Sequence, residues 1–376
     1  MKKTLAALAV LGAFAGSAMA ADVTLYGAVD TGFEYIHTKS TGEKGVDTFD
    51  MQTGWDTPSR WGLKGSEDLG NGYKVSFKLE SGFNSDDGTM GQSNRLFGRE
   101  AGLTLSGPFG SVAFGRFGGI SSSAGTYDML GYVESFDGGD GNVWGFASSS
   151  RYDNMVVYQT PRFAGLQLTA QYSFKTDTKE GDTVGADDKP QYNGDEGTSN
   201  AQRYASVGLS GEYGPASFAV GYELTKYGAN TNGARALDKD GQLVFVGGNY
   251  DFEVVQLFAE AQYFKHQTAI NAGDDATAEL GLGKLGLKGY GLHLGAAAPL
   301  AGGTLTAGLY YVDLSEEAVD QADEDAKYYG VSARYNYPLS ERTSLYAGAG
   351  YGQLKDDDSG NKDQLTQVYC GLVHTF

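Results

Sequence analysis

The sequence has almost no cysteine, and this excludes a disulfide framework. Cys370 is the only cysteine among 376 residues, so no internal disulfide can form. No paired cysteine or histidine spacing indicates a zinc site. A chain of this size without cross-links has to be stabilised in some other way.

Basic residues are also scarce. The chain carries 28 lysines and arginines against 47 aspartates and glutamates, which gives a formal net charge of −19. Nucleic-acid binding depends on clustered positive charge. The charge balance therefore argues against nucleic acid as a partner.

Long apolar runs are absent except at the N-terminus. The stretch MKKTLAALAVLGAFAGSAMA combines two lysines, a short apolar run and a final Ala-Met-Ala. This is the layout of a secretory signal peptide with a small-x-small cleavage site. The run is too short for a comfortable membrane-spanning helix, although an uncleaved anchor is the alternative. We predict a cleaved signal peptide over residues 1–20 and a single domain over residues 21–376.

Apolar and polar residues alternate over most of the chain. In LQLTAQYSF, residues 166–174, the even-numbered positions are apolar and the odd-numbered ones are polar. Sustained period-two alternation is typical of β-strands. None of the seven prolines falls inside a predicted strand, where it would remove a ladder hydrogen bond. The pattern predicts sixteen strands, which begin near Val23, Arg60, Tyr73, Arg95, Val112, Arg151, Leu166, Arg203, Ala216, Val244, Val255, Leu287, Thr304, Lys327, Thr343 and Leu365.

The links between these strands alternate in length. Short links such as PFG (108–110) and AGG (301–303) alternate with long polar ones such as residues 37–59 and 176–202. One end of the sheet therefore carries tight turns, and the other carries long acidic loops.

Three features favour a transmembrane barrel over a soluble sandwich or lipocalin-like barrel. The strand number is even, small polar residues cannot fill a sixteen-stranded lumen, and aromatic residues gather at both strand ends. We predict an all-β fold, a sixteen-stranded antiparallel transmembrane β-barrel with short periplasmic turns and long extracellular loops. The last strand should pair with the first, because a sheet in lipid must close on itself. Val23, Leu25 and Val29 would then share the lipid-facing side, with Phe376 at the periplasmic interface.

Four sequence blocks resemble a known family. SRWGLKGSEDLGNG (59–72), FGREAGLTLSGPFGSVAFGR (97–116), RYDNMVVYQTPRFAGL (151–166) and the terminal aromatic are similar to the sixteen-stranded trimeric porins of Gram-negative bacteria, of the neisserial and betaproteobacterial type. The resemblance implies passive diffusion of ions and small hydrophilic solutes, a homotrimer, and an outer membrane containing lipopolysaccharide. It also implies a third loop folded into the pore, and a terminal Phe376 that the barrel-assembly machinery recognises.

The third loop is predicted over residues 117–150, between the fifth and sixth strands. Its length and its acidic residues suit a segment that lies against one wall of the pore; an ordinary extracellular loop is the alternative. The candidate acids are Asp128, Glu134, Asp137 and Asp140.

The facing wall is predicted to be basic. Strand parity places six cations on the lumen face: Arg60, Lys64, Lys74, Lys78, Arg151 and Arg334. The resemblance adds Arg95 or Arg99 to a cluster with Arg60 and Arg151. Parity with Leu103 instead points Arg95 and Arg99 outward, unless a bulge near Gly98 shifts the register. A basic wall facing an acidic loop would create a transverse field across the constriction, with a lean towards anions.

Enzyme chemistry is not indicated. The four histidines, His37, His266, His293 and His374, do not converge on a nucleophile, and no cofactor or metal motif is present. Two alternatives to a diffusion channel stay open: a substrate-selective channel on the same barrel, and a surface adhesin or structural barrel with an occluded lumen.

Overall fold

The computed structural model describes residues 23–123, 125–136, 139–179, 194–229, 237–271, 286–316 and 324–376, and the backbone of 183–184 and 190–191. The predicted signal peptide and Asp137 lie outside these residues. No helix in the described part is long and apolar enough to cross a membrane.

Sixteen antiparallel strands form one closed sheet in the described part of the chain, which confirms the predicted fold. The strands are β1 (Thr24–Ser40), β2 in two parts (Val46–Thr53 and Arg60–Gly70), β3 (Tyr73–Gly82), β4 (Glu100–Gly107), β5 (Gly110–Gly118), β6 (Arg151–Gln159), β7 (Leu166–Ser173), β8 (Arg203–Tyr213), β9 (Ala216–Lys226), β10 (Gly241–Asp251), β11 (Gln256–Gln267), β12 (Leu287–Leu300), β13 (Gly303–Glu316), β14 (Glu324–Ser340), β15 (Thr343–Asp356) and β16 (Lys362–Thr375).

The barrel closes between its first and last strands. β16 pairs with β1 along its length, and the backbone N–H and carbonyl of Phe376 bond to Gly27 at 3.0 Å each. Val23, Leu25 and Val29 are exposed on the outer face of β1. Closure satisfies the edge groups that an open sheet would leave unpaired.

The first long link is shorter than the sequence predicts. Residues 37–59 were expected to be loop, but β1 continues to Ser40 and Val46–Thr53 pairs with it. The sequence does not predict this hairpin because its outer part is mostly polar and lacks the regular alternation of apolar and polar residues that indicates a strand.

Two prolines lie within the described barrel strands, contrary to expectation. Pro299 is the penultimate residue of β12, and Pro338 lies near the end of β14, where the register shifts. Both strands run further towards their turns than the alternation indicates. Near a strand end, proline removes few ladder bonds.

The long loop between β5 and β6, residues 119–150 and hereafter loop 3, folds into the barrel. It packs against an apolar part of the inner wall, on β10 to β15. The loop side of this cluster includes Ile120, Met129, Leu130, Val133, Trp144 and Phe146, and the wall side includes Phe245, Phe264, Val312, Leu314, Tyr328 and Leu354. Loop 3 therefore narrows the lumen from one side, and the opposite wall is left to face water.

Candidate functional site

A cavity of about 700 Å³ lies between loop 3 and the inner wall at β2 to β4. Its lining comes from both ends of loop 3, from the interruption in β2 and from charged side chains of the wall. The residues are Gln52, Thr53, Gly54, Trp55, Asp56, Thr57, Pro58, Arg60, Lys78, Glu80, Arg99, Ser123, Gly125, Thr126, Gly139, Gly141, Asn142 and Arg334. This is the narrow region that the third-loop prediction anticipates.

Some of the predicted basic residues meet at this cavity and others do not. Arg60, Lys78, Arg99 and Arg334 line it. Lys64 does not: its Nζ lies 5.1 Å from the centre of the Tyr26 ring on β1. Cations on the lumen face thus extend beyond the cavity.

Arg99 lies on the lumen side, whereas strand parity predicts that it points outward. The sequence placed it on the outer face with Leu103, yet its Nε lies 2.7 Å from Oε1 of Glu80 and the side chain is buried. The reason is that β4 begins at Glu100 rather than near Arg95. Strand alternation therefore does not apply to Arg99, which precedes the strand.

The basic wall contains its own acids, which sequence reasoning missed. Glu80 lies 3.6 Å from Nζ of Lys78 and 4.0 Å from Nε of Arg60, in addition to its bond with Arg99. Glu100 forms an ion pair with Lys78 and accepts the backbone N–H of Thr126 in loop 3 at 2.6 Å. Strand parity places both acids on the lumen face, so the alternation pattern could have identified them as partners for the cations. The wall is consequently a largely paired network rather than a bare positive surface.

Arg95 belongs to a second paired group beyond the cavity lining. It contacts Asp177 at 2.6 Å and Asp153 at 3.3 Å. Asp153 also pairs with Arg116, at 2.6 Å. These charges compensate one another within the lumen wall.

Arg151 differs from the other arginines of this wall. It begins β6, opposite Gly118. In the described residues its guanidinium has no carboxylate within ion-pair distance and no hydrogen bond. Arg99 and Arg116 act on it as like charges, and Glu80 and Glu100 act on it as opposite charges from beyond that distance. Arg151 is therefore the arginine of this wall that has no direct ion pair among the described residues.

The predicted acids of loop 3 do not form a row facing the pore. Glu134 is 2% exposed and accepts the indole N–H of Trp144 at 2.8 Å. Asp140 is 0% exposed and lies 3.5 Å from Arg334. Asp128 accepts the backbone N–H of Ser123 at 3.1 Å. The expected acidic face of the transverse field is wrong for Glu134 and Asp140, because the loop turns these carboxylates towards the barrel wall.

Asp140 is held from several sides. The hydroxyl of Tyr369 on β16 donates to its carboxylate at 2.5 Å, and Gln367 donates to its backbone carbonyl at 3.0 Å. Burial raises the pKa of the Asp140 carboxyl, while the Arg334 guanidinium and the Tyr369 hydroxyl favour its charged form. This residue secures loop 3 rather than meeting solutes.

The acid that does line the cavity from the other side is Asp56. Its Oδ1 accepts a hydrogen bond from Nδ2 of Asn336 at 2.7 Å. Because residues 37–59 read as an outer loop, no sequence signal placed Asp56 inside the barrel.

Comparisons with known proteins agree with this architecture. The family model described as Gram-negative porin matches residues 6–358. An outer membrane porin protein of Bordetella pertussis is 34% identical, with both chains covered completely. Outer membrane porin protein 32 of Delftia acidovorans is 32% identical over 99% of this chain and 95% of its own. Among solved structures, an anion-selective porin from Comamonas acidovorans is 26% identical and covers 95% of this chain and 100% of its own, with a TM-score of 0.69.

Proposed function

Because this chain belongs to the Gram-negative porin family, we propose that it is a water-filled outer-membrane channel for passive diffusion of ions and small hydrophilic solutes. The observation that carries the proposal is the cavity inside the closed barrel, which loop 3 narrows without sealing it with its apolar side chains. Members of this family are channels rather than enzymes, and we propose no catalytic role.

We propose that the channel favours anions. The support is local: Arg60 and Lys78 line the cavity, and Arg151 forms no direct ion pair with the described residues. An anion-selective relative of known structure has the same fold. A ring or wall with excess charge of one sign sets ion preference in a pore.

We propose three partners on the strength of the family resemblance. These are two further copies of the chain in a homotrimer, the lipid and lipopolysaccharide of the outer membrane, and the barrel-assembly machinery acting on Phe376. Phe376 is half-exposed at the periplasmic end of the closed seam, where another protein can reach it.

The test is a planar bilayer recording of the refolded protein under a salt gradient. The wild type should give large conductance steps, with a reversal potential that indicates anion preference. Arg60→Ser with Arg151→Ser should move that potential towards cations, whereas Arg342→Ser, in the exposed β14–β15 turn, should leave it unchanged.

Each outcome decides a separate point. A silent membrane from a correctly folded barrel would overturn the channel and favour an adhesin or structural barrel. Saturable block by one solute would favour a substrate-selective channel. Open steps with an unmoved potential would keep the channel and remove Arg60 and Arg151 from its filter.

A further inference from the structure

The interruption in β2 contains more residues than the partner strand can match. Thr53 pairs with Thr31 of β1, and Arg60 pairs with Ala28. Two residues separate these partners on β1, but six residues, 54–59, separate them on β2. Extra residues in one strand of a pair are forced out of the ladder. We call residues 54–59 the inner bulge.

The inner bulge projects into the lumen. The Trp55 indole stacks on the Tyr369 ring, with 5.0 Å between centroids and 5° between planes. Tyr369 lies on the inner face of β16, since it is buried while its neighbour Val368 is exposed on the outer face. Asp56 reaches Asn336 on β14. The bulge therefore lies against the inside of the wall formed by β14 to β16.

The base of the bulge is held by a buried carboxylate. Oδ2 of Asp30 accepts the backbone N–H groups of Asp56 and Thr57, each at 2.9 Å. Oδ1 of Asp30 accepts the hydroxyl of Tyr346 at 2.7 Å. Hydrogen bonds to an ionised acceptor are among the stronger ones in proteins. The bulge is thus a built element of the barrel rather than a loose connection.

Arg334 on β14 joins the inner bulge to loop 3. On the bulge side, its Nε lies 3.2 Å from Oδ1 of Asp56, and its Nη1 donates to the Trp55 carbonyl at 3.1 Å. On the loop side, the guanidinium lies 3.5 Å from Asp140 and 4.9 Å from the centre of the Phe136 ring. Arginine can serve several acceptors at once because its donors are fixed in one plane.

The bulge and loop 3 also touch directly. Gly141 of loop 3 lies so close to the Trp55 indole that a Cβ at this position would overlap the ring. Residues on both segments line the same cavity, Gly54 to Pro58 on one side and Gly139, Gly141 and Asn142 on the other.

We propose that the inner bulge is a second constriction element, which sets the cross-section of the pore together with loop 3, and that Arg334 is the positioning residue that couples the two. The proposal rests on the proposed channel function, since a cross-section has meaning only for a conducting pore. It assigns part of the size limit to the barrel wall itself, in β2, rather than to loop 3 alone.

The direct test removes the bulkiest side chain of the bulge. Trp55→Ala should raise single-channel conductance by about 1.5-fold and admit larger neutral sugars in liposome swelling, because it removes a large side chain from the cavity lining. Trp61→Ala is the matched control. Trp61 lies on the same strand, where its ring contacts Phe97 at 6.1 Å between centroids, and it does not line the cavity. Its conductance should equal that of the wild type.

A second variant tests the opposite direction. Thr57 lines the cavity, so Thr57→Trp should lower the conductance of a barrel whose β-sheet circular dichroism is unchanged. If Trp55→Ala fails to fold, this variant still decides the proposal. A conducting wild type with unchanged conductance in the folded bulge variants would overturn the second constriction. A silent wild type would instead overturn the channel itself.

The role of Arg334 is tested by non-additivity. Arg334→Gln should raise conductance, and Trp55→Ala combined with Arg334→Gln should exceed Trp55→Ala alone by little, because both changes release the same segment. Arg334→Lys keeps the charge without the planar fork and should restore only part of the wild-type value. Fully additive effects would show that Arg334 acts on the pore independently of the bulge.

Discussion

The two halves of the inner wall have opposite chemistry. From β2 to β6 the lumen face carries charged side chains such as Arg60, Lys78 and Glu80, which border the water-filled cavity. From β10 to β15 it carries large apolar side chains such as Phe245 and Phe264, which are 0% exposed. We refer to these as the charged half and the covered half.

Loop 3 explains the difference. Its apolar residues cover the covered half, so the side chains there have a core to pack into, although they point into a barrel. Among the described residues, apolar cover by loop 3 in the charged half is confined to β5 and β6, where Tyr127 packs on Phe117. Lys78, Glu80 and Arg99 instead hold their charges in ion pairs. The polarity of the residues on a strand's inner face therefore indicates whether that face contacts water or loop 3.

The largest effect is expected from removing a buried apolar side chain between loop 3 and the covered half. Phe146 is a fully buried loop 3 residue, with Tyr310 packed edge-on at 5.9 Å. Phe146→Ala should lower the free energy that keeps loop 3 closed by about 3–5 kcal/mol through lost burial and a cavity. Hydrogen exchange at Val133 and Glu134, whose N–H groups bond to the Leu130 carbonyl, measures this change.

Phe163→Ala is the matched control for that substitution. Phe163 lies in a periplasmic turn and is 81% exposed, so exchange in loop 3 should not change. Unaltered exchange in Phe146→Ala would mean that hydrogen bonds, rather than apolar packing, hold the loop.

A smaller effect is expected from a backbone change at the same interface. Gly145 has φ of +82°, and a Cβ there would overlap the Tyr328 ring of the wall. Gly145→Ala should destabilise loop 3 by about 1–3 kcal/mol, measured by the same exchange experiment.

Gly360→Ala separates the backbone strain of a positive φ from the steric overlap with Tyr328. Gly360 has a similar φ of +75°, but no atom lies within 4 Å of an added Cβ. Its cost should be the backbone term alone, about 1 kcal/mol. Equal losses at the two sites would show that contact with Tyr328 contributes nothing.

The charged half is tested by removing charge with and without its partner. Replacing both Glu80 and Arg99 by glutamine deletes a pair at 2.7 Å and leaves the net charge unchanged. The reversal potential should then stay close to the wild-type value. Arg151→Gln removes a cation that has no direct ion pair among the described residues, and it should shift the potential towards cations. Equal shifts would refute the distinction between paired and unpaired arginines.

The smallest effect concerns an ion pair outside both halves. Asp357, just after β15, accepts hydrogen bonds from Lys327 and Lys355, and these lower the pKa of its carboxyl. Because the pKa is depressed in the folded protein, the ion pair stabilises the loop fully at pH values above the unfolded pKa of about 4. This contribution is lost as the pH falls through the lowered pKa. Carbon NMR of the Asp357 carboxyl should show the lowered midpoint. Lys355→Met should raise it, and Lys362→Met should not.

The sequence predicts strands best where only one face of the strand is apolar, and less well in the covered half, where both faces can be apolar. In most strands one face meets lipid and the other meets polar groups, so period two is clear. The predicted starts lie within a few residues of the observed ones except at β2 and β4. Around Val244 both faces are apolar: Leu243 and Phe245 meet loop 3, and Val244 and Val246 face outward. Alternation fades there, and the observed strand begins at Gly241, ahead of the predicted start near Val244.

The candidate site was less predictable than the fold. Parity identified cations on the lumen wall. It could not show that Arg99 pairs with Glu80 or that Arg151 has no direct ion pair among the described residues, since ion pairing depends on distances between strands. Asp56 was missed because its segment has an ordinary loop composition and enters the lumen only through the mismatch in β2.

The barrel follows from the order of residues along the chain, which specifies the strands, the alternating links and a last strand that pairs with the first. Those properties are local or follow from hydrogen-bond closure, so they are written in residue order. Three further properties arise only when the barrel is assembled: the wall that loop 3 covers, the charges that form ion pairs, and the position of the inner bulge facing loop 3 across Arg334. Those properties depend on packing between residues that are distant in the chain, and no period along the sequence encodes it.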